Sequence, residues 1–241
     1  MFPFLLMAAI SAGLAIYCEE RAQGRHRAFY LLKPLTTLLI LFAALCAGDS
    51  DPEYQRWICV GLALSMLGDI ALMFEGDGWF MAGLSSFLVA HVLFVVAFAL
   101  DGVALPPLQY WIPAAGGSLF LLWLLPRTGK LLVPVVIYVL ALTAMSLAAG
   151  TRLEIRGDTS ALLALAGAII FLVSDAALSV CQFGGAYRRA QFLILSTYFL
   201  AIGLIAASVQ GSASTDASAD VDVAFHDLYR TAGQMDRADL P

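Results

Sequence analysis

Eight apolar stretches, each close to twenty residues long, dominate this chain: 2–18, 31–47, 57–74, 80–100, 108–125, 131–149, 160–181 and 189–209. A helix that crosses a bilayer needs roughly 20 mostly apolar residues. Backbone polar groups in lipid must be satisfied internally, so each stretch is predicted to be a helix. The predicted fold is therefore all-α and polytopic, with eight transmembrane helices. Composition agrees: 61% of the 241 residues are hydrophobic and only 13% are charged. Globular chains carry about 25% charged residues. The net charge of −5 and the lack of a basic cluster argue against a nucleic-acid partner.

The first stretch has no basic residue before its apolar run and no clear cleavage site, so it reads as a helix rather than a secretion signal. Lysine and arginine placement sets orientation. Arg21, Arg25, Arg27, Lys33, Arg127, Lys130, Arg188 and Arg189 follow the first, third, fifth and seventh stretches. The other side holds Arg56, Arg152, Arg156 and two arginines of the tail. Both termini are thus expected to be non-cytoplasmic, in a bacterial inner membrane. Residues 1–209 form the membrane domain. Residues 210–241 are rich in Ser, Ala and Asp and read as a disordered tail.

The chain echoes itself. Met66-Leu-Gly-Asp-Ile-Ala-Leu72 resembles Leu172-Val-Ser-Asp-Ala-Ala-Leu178, and Phe87-Leu88 follows the first as Phe192-Leu193 follows the second. Two tandem four-helix halves would give this pattern; chance likeness between alanine-rich helices is the alternative.

Asp69 and Asp175 are the only acidic residues well inside the predicted spans. Each costs roughly 2.5–3.5 kcal/mol to insert, so each needs a reason to be there. Both fall roughly 8–10 Å below the cytoplasmic end of their helix, in one layer. Lys33, Tyr138, Tyr198 and the deeper His91 fall in the same half. The outer halves of the spans are expected to carry no acidic or basic side chain. Each residue has a structural alternative: a cross-helix bond for the aspartates, a satisfied donor for His91, snorkelling for Lys33. Gly68 and Ser174, beside the aspartates, also suit close helix packing.

No metal or cofactor is expected. His26, His91 and His226 lie apart in the topology, so a three-histidine zinc site is not available, and no CxxC pair exists. Cys46 and Cys59 end neighbouring spans, either bridged or as two thiols.

Several short motifs, in order along the chain, complete the reading. They are Lys33-Pro34, Leu67-Gly68-Asp69, Phe80-x-x-Gly83, Phe87 with Ala90-His91, Tyr138, Gly167-Ala168-x-x-Phe171-x-x-Ser174-Asp175 and Tyr198-x-x-Ala201. Their order and spacing resemble the lysoplasmalogenase family, the YhhN-like membrane proteins. The family pattern has a glutamine where Ile202 stands. The resemblance implies a lysophospholipid substrate drawn from the bilayer. It implies hydrolysis of the vinyl-ether bond of a lysoplasmalogen to a fatty aldehyde and glycerophosphocholine or glycerophosphoethanolamine. Asp69 and Asp175 match the two intramembrane aspartates to which that family points.

The residues suit that chemistry. A vinyl ether hydrolyses by protonation on carbon, followed by capture of the oxocarbenium ion by water. Burial and a second carboxylate both favour keeping one carboxyl neutral, so a close pair supplies one acid and one base. Which is which stays open in the sequence. Lys33 is expected to hold the phosphate, with His91, Tyr138 and Tyr198 as further binding residues. Two other classes compete. A small proton-coupled transporter would use the aspartates as a relay, although the prolines within spans, Pro113 and Pro134 among them, lie near span ends. A scaffold or lipid sensor would tolerate Asp69→Asn.

Overall fold

A computed structural model describes residues 1–22, 27–185 and 187–213. Among them the chain is helical with no strand. The long helices are α1 (Phe2–Ala22), α2 (Arg27–Leu45), α3 (Pro52–Ala71), α4 (Asp77–Ala99), α5 (Trp111–Leu124), α6 (Leu132–Arg156), α7 (Thr159–Ser179) and α8 (Ala190–Ala207). Seven helical segments are long and apolar enough to cross a membrane. The exception is α3, which carries Glu53, Arg56 and Asp69.

Local chemistry sets the helix starts. Asp51 caps α3: its Oδ1 accepts from the amides of Glu53 and Tyr54, each at 2.8 Å, and Pro52 opens the first turn. Asp158 does the same for α7, accepting from the Ala161 amide at 2.8 Å. Such caps satisfy amides that the helix itself leaves unpaired. α6 ends at Gly157, whose φ of 63° is left-handed and favours glycine.

Three antiparallel hairpins, α1/α2, α3/α4 and α7/α8, make up most of the bundle. α6 packs between α4 and α7, α8 also touches α1 and α2, and α5 lies outermost on α6. Close approach is built into the sequence. Gly61 and Gly68 of α3 receive the rings of Phe94 and Phe87 of α4; a Cβ at Gly68 would sit 2.6 Å from the Phe87 ring. On α7, a Cβ at Gly167 would come within 2.9 Å of the Ala201 carbonyl of α8. Small residues at helix contacts are the usual device in lipid, where burial alone does not drive helices together. Gly68 thus serves packing. Ser174 joins α7 to α8 by donating from Oγ to the Ile194 carbonyl at 3.1 Å.

The end of the bundle remote from Asp69 and Asp175 corrects one expectation. Residues 150–156 continue α6 as helix, and Arg152 is wholly buried there, so that half of the bundle does carry a charge. Its Nε donates to Asp101 at 2.7 Å, a second guanidinium nitrogen donates to Ser160 at 3.0 Å, and its Cζ lies 4.1 Å over the Tyr54 ring. Tyr54 and Ser208 hydroxyls meet at 2.7 Å, and Ser160 donates to the Ser208 carbonyl. Arg156 bridges Asp101 and Asp158. A charge this deep is tolerated because hydrogen bonds and a π face replace its water. The network ties α3, α6 and α7 to the ends of α4 and α8.

All four cysteines are free thiols, with Cys46 exposed and Cys59 buried. Residues 211 and 213 donate backbone hydrogen bonds to the loop between α2 and α3, at Gly48 and Asp49. Residues 214–241, which hold His226 and most of the expected tail, lie outside the described residues, as do Arg25 and His26.

Candidate active site

Antiparallel packing brings the C-terminal ends of α3 and α7 to the same end of the bundle as the N-terminal ends of α2, α6 and α8. Asp69 and Asp175 both lie at that end. Asp69 is 1% exposed and Asp175 8% exposed, and both line one cavity of about 220 Å³. Neither points outward.

Their surroundings differ. Lys33 Nζ of α2 lies 3.1 Å from Asp69 Oδ1. Thr37 Oγ1, one turn further along α2, donates to Asp69 Oδ2 at 2.7 Å. The Tyr198 hydroxyl of α8 donates to the same Oδ2, also at 2.7 Å. Asp69 therefore has three donors, one of them cationic. Asp175 Oδ2 accepts from the Tyr138 hydroxyl of α6. Among the described residues Asp175 has no ion-pair partner.

An aromatic floor sits beneath the carboxyls. The Phe171 ring lies 6.3 Å from Phe87 and 5.7 Å from Tyr198, each edge to face. His91 packs behind it, 4.6 Å from Phe171 and 5.2 Å from Tyr138 between ring centres. Its ring is wholly buried, and neither nitrogen has a hydrogen-bond partner.

Of the six residues the sequence singles out, Lys33, Asp69, Asp175 and Tyr198 line the cavity. Tyr138 reaches it through Asp175. His91 does not line it and touches the site only through ring contacts. Lys33 is 8% exposed and paired, which excludes snorkelling. Ile202, at the family's glutamine position, is fully buried in the core.

Sequence reasoning missed three residues. Thr37 stands four positions after Lys33, on the same helical face, and that spacing was the available signal. Glu19 belongs to the last turns of α1 rather than to a loop, and it lines the cavity with its Oε2 buried and unpartnered. Gln191 lines the same cavity from the first turn of α8, with no sequence signal of its own. Among the described residues no three His, Cys, Asp or Glu side chains cluster as a metal site would require.

A model of the YhhN family matches residues 28–209. The chain belongs to the YhhN family. Curated relatives carry a consistent name. Lysoplasmalogenase TMEM86A of Bos taurus is 32% identical over 163 residues, covering 66% of this chain and 67% of its own. Lysoplasmalogenase TMEM86B of Sus scrofa is 32% identical over 186 residues, covering 74% and 73%. The lysoplasmalogenase of Mycobacterium bovis is 28% identical over 188 residues, 68% of each chain. No solved structure matches the chain. In this YhhN protein the matched region spans Lys33, Asp69, His91, Tyr138, Asp175 and Tyr198, whereas Glu19 precedes it.

Proposed function

We propose that this protein hydrolyses the vinyl-ether bond of lysoplasmalogens within the membrane, with Asp175 as general acid and Asp69 as general base. The observation that carries the reading is the unequal setting of two carboxyls on one cavity. Asp69 faces one ammonium and two hydroxyl donors, from Lys33, Thr37 and Tyr198. Asp175, buried with one phenol and no cation, is assigned as the proton donor. The names of the relatives support hydrolysis over proton-coupled transport.

The reaction then balances. Asp175 gives its proton to the alkenyl carbon one bond beyond the ether carbon. The ether carbon becomes an oxocarbenium ion, which the Asp69 carboxylate stabilises. Water adds to that carbon and passes a proton to Asp69, leaving a hemiacetal. The hemiacetal hydroxyl returns a proton to Asp175 as the carbonyl forms. The C–O bond to the glycerol breaks, and its oxygen takes the proton held by Asp69. One aldehyde and one glycerophospho-alcohol leave, and both carboxyls are reset. The division of labour resembles that of inverting glycosidases, whose transition states are also oxocarbenium-like.

The remaining residues take supporting roles. Lys33 has donor capacity beyond Asp69 and meets the phosphate at the cavity rim. Glu19 meets an ammonium on the headgroup. Tyr138 and Tyr198 hold the two carboxyls, and His91 buttresses Tyr138. We read all eight long helices as spans, arranged as two four-helix halves. Asp51 and Asp158 cap corresponding helices, and the α2–α8 packing corresponds to α6–α4 under a shift of four helices. The basic residues at the cavity end support a cytoplasmic location for it, with both termini opposite.

Hydrolysis in heavy water provides the test. Aldehyde released from a lysoplasmenyl lipid, trapped at once by reduction, is expected to carry one deuterium on the carbon next to the former carbonyl. An alkyl-ether analogue is expected to release nothing. Aldehyde without that deuterium, or release from both lipids, would exclude protonation on carbon.

A further inference from the structure

A second cavity, about 200 Å³, opens between α5, α6 and α7. Tyr138 and Asp175 form its inner wall. Its other walls are apolar or nearly so, including Gly116, Gly117, Phe120, Leu142, Leu172 and Val173. Asp175 thus borders one polar cavity and two mostly apolar ones, this cavity and a smaller one of about 30 Å³ between α4, α6 and α7. The polar cavity holds Lys33, Glu19 and Asp69; the larger apolar one is lined by hydrocarbon side chains, glycine and the hydroxyls of Thr143 and Ser179.

The glycines of α5 sharpen the contrast. Glycine in a membrane helix ordinarily marks a close helix contact. Gly68 and Gly167 obey that rule, because a Cβ on either would collide with the neighbouring helix. Gly116 does not: a Cβ there would meet no atom within 4 Å. At Gly117 the nearest atom would be Thr143 Oγ1, at 3.5 Å, an ordinary contact. These glycines leave space open, directly in front of the acid.

We infer that this apolar cavity receives the alkenyl chain of the substrate, and that Gly116 and Gly117 set how bulky or long a chain is accepted. The inference rests on the reading above, in which Asp175 protonates the chain-side carbon of the vinyl ether. The order along the substrate is headgroup, ether oxygen, ether carbon, protonated carbon, chain. The order in the protein is Lys33, Asp69, Asp175, apolar cavity. The two sequences of groups run in the same direction, and the chain leaves the reacting carbons on the side where Asp175 borders hydrocarbon.

A competing route exists. A groove of about 490 Å³ between α1, α2 and α8 is also apolar, with Gly13 and Gly203 on its walls and no added-Cβ contact at either. It does not include Asp69 or Asp175. A matched pair of variants separates the two. Purified wild type, Gly116→Phe and Gly203→Phe are titrated by calorimetry with alkyl-ether lysophosphoethanolamines bearing a hexadecyl or a butyl chain. These analogues lack the vinyl bond, so binding is read without turnover.

Gly116→Phe is expected to raise the Kd of the hexadecyl analogue at least about tenfold, because buried methylenes lose their site, and to leave the butyl analogue unchanged. Gly203→Phe is expected to leave both unchanged. Thr143→Leu, on the facing wall, reproduces the selective loss and decides the matter if Gly116→Phe does not fold. An unchanged hexadecyl Kd in the blocked variants, equal weakening of both analogues, loss in Gly203→Phe instead, or no chain-dependent binding by the wild type would each overturn the inference. A protein that binds the hexadecyl analogue selectively yet releases no aldehyde from the vinyl ether keeps the chain site and loses the proposed reaction.

Discussion

Lys33 and Asp69 form a buried ion pair, with Nζ 3.1 Å from Oδ1, and Asp175 on the same cavity has no such partner. That asymmetry is the ground on which the proposed mechanism gives two similar aspartates different roles. It also removes Lys33 from the set of residues that merely reach the lipid surface.

Asp69→Asn and Asp175→Asn are each expected to lower aldehyde release by at least about 10²-fold, the usual contribution of a positioned acid or base. A coupled aldehyde-dehydrogenase assay on detergent-solubilised protein measures it. Near-wild-type turnover in either variant removes that carboxyl from the mechanism.

Lys33→Met is expected to lower kcat as well as raise KM. In the proposed mechanism the substitution removes both a phosphate contact and the cation paired with Asp69. A KM effect alone would confine Lys33 to binding, since loss of uniform binding leaves kcat intact. Steady-state kinetics over a range of lysoplasmenyl lipid concentrations separates the two.

Tyr138→Phe is expected to cost more activity than Tyr198→Phe. Tyr138 is the donor on Asp175, whereas Asp69 keeps Lys33 and Thr37 when Tyr198 is lost. Leaving a buried polar group without its partner costs about 1–3 kcal/mol, so roughly fivefold or more in kcat is expected for Tyr138→Phe. The reverse order would exchange the roles of the two aspartates.

Arg152→Met tests the opposite end of the bundle. The change strips Asp101, Ser160 and Tyr54 of their shared partner and is expected to destabilise the fold by about 3 kcal/mol. Thermal unfolding in detergent would record the loss. Activity per folded molecule is expected to stay near wild type, because Arg152 lies at the end of α6 remote from the carboxyls.

Much of the fold was legible because it depends on local quantities. Hydropathy over twenty residues marks a membrane helix wherever it packs. The insertion cost of Asp69 and Asp175 marks them as candidate site residues for the same reason, one residue at a time. The sixth apolar stretch stops at 149, whereas α6 runs on to Arg156, and the burial of Arg152 there depends on Asp101, fifty-one positions away.

The amino-acid sequence alone determined the helical membrane character, the two deep acids and the family motifs around them, because each is a property of a short window. Tertiary structure decided which donors reach which acid. Tyr198 bonds Asp69 across a sequence separation of 129 residues, while Tyr138 bonds Asp175. Such choices follow from the rotation and register of packed helices, set jointly by glycines, rings and caps on several elements at once, and no single window contains them.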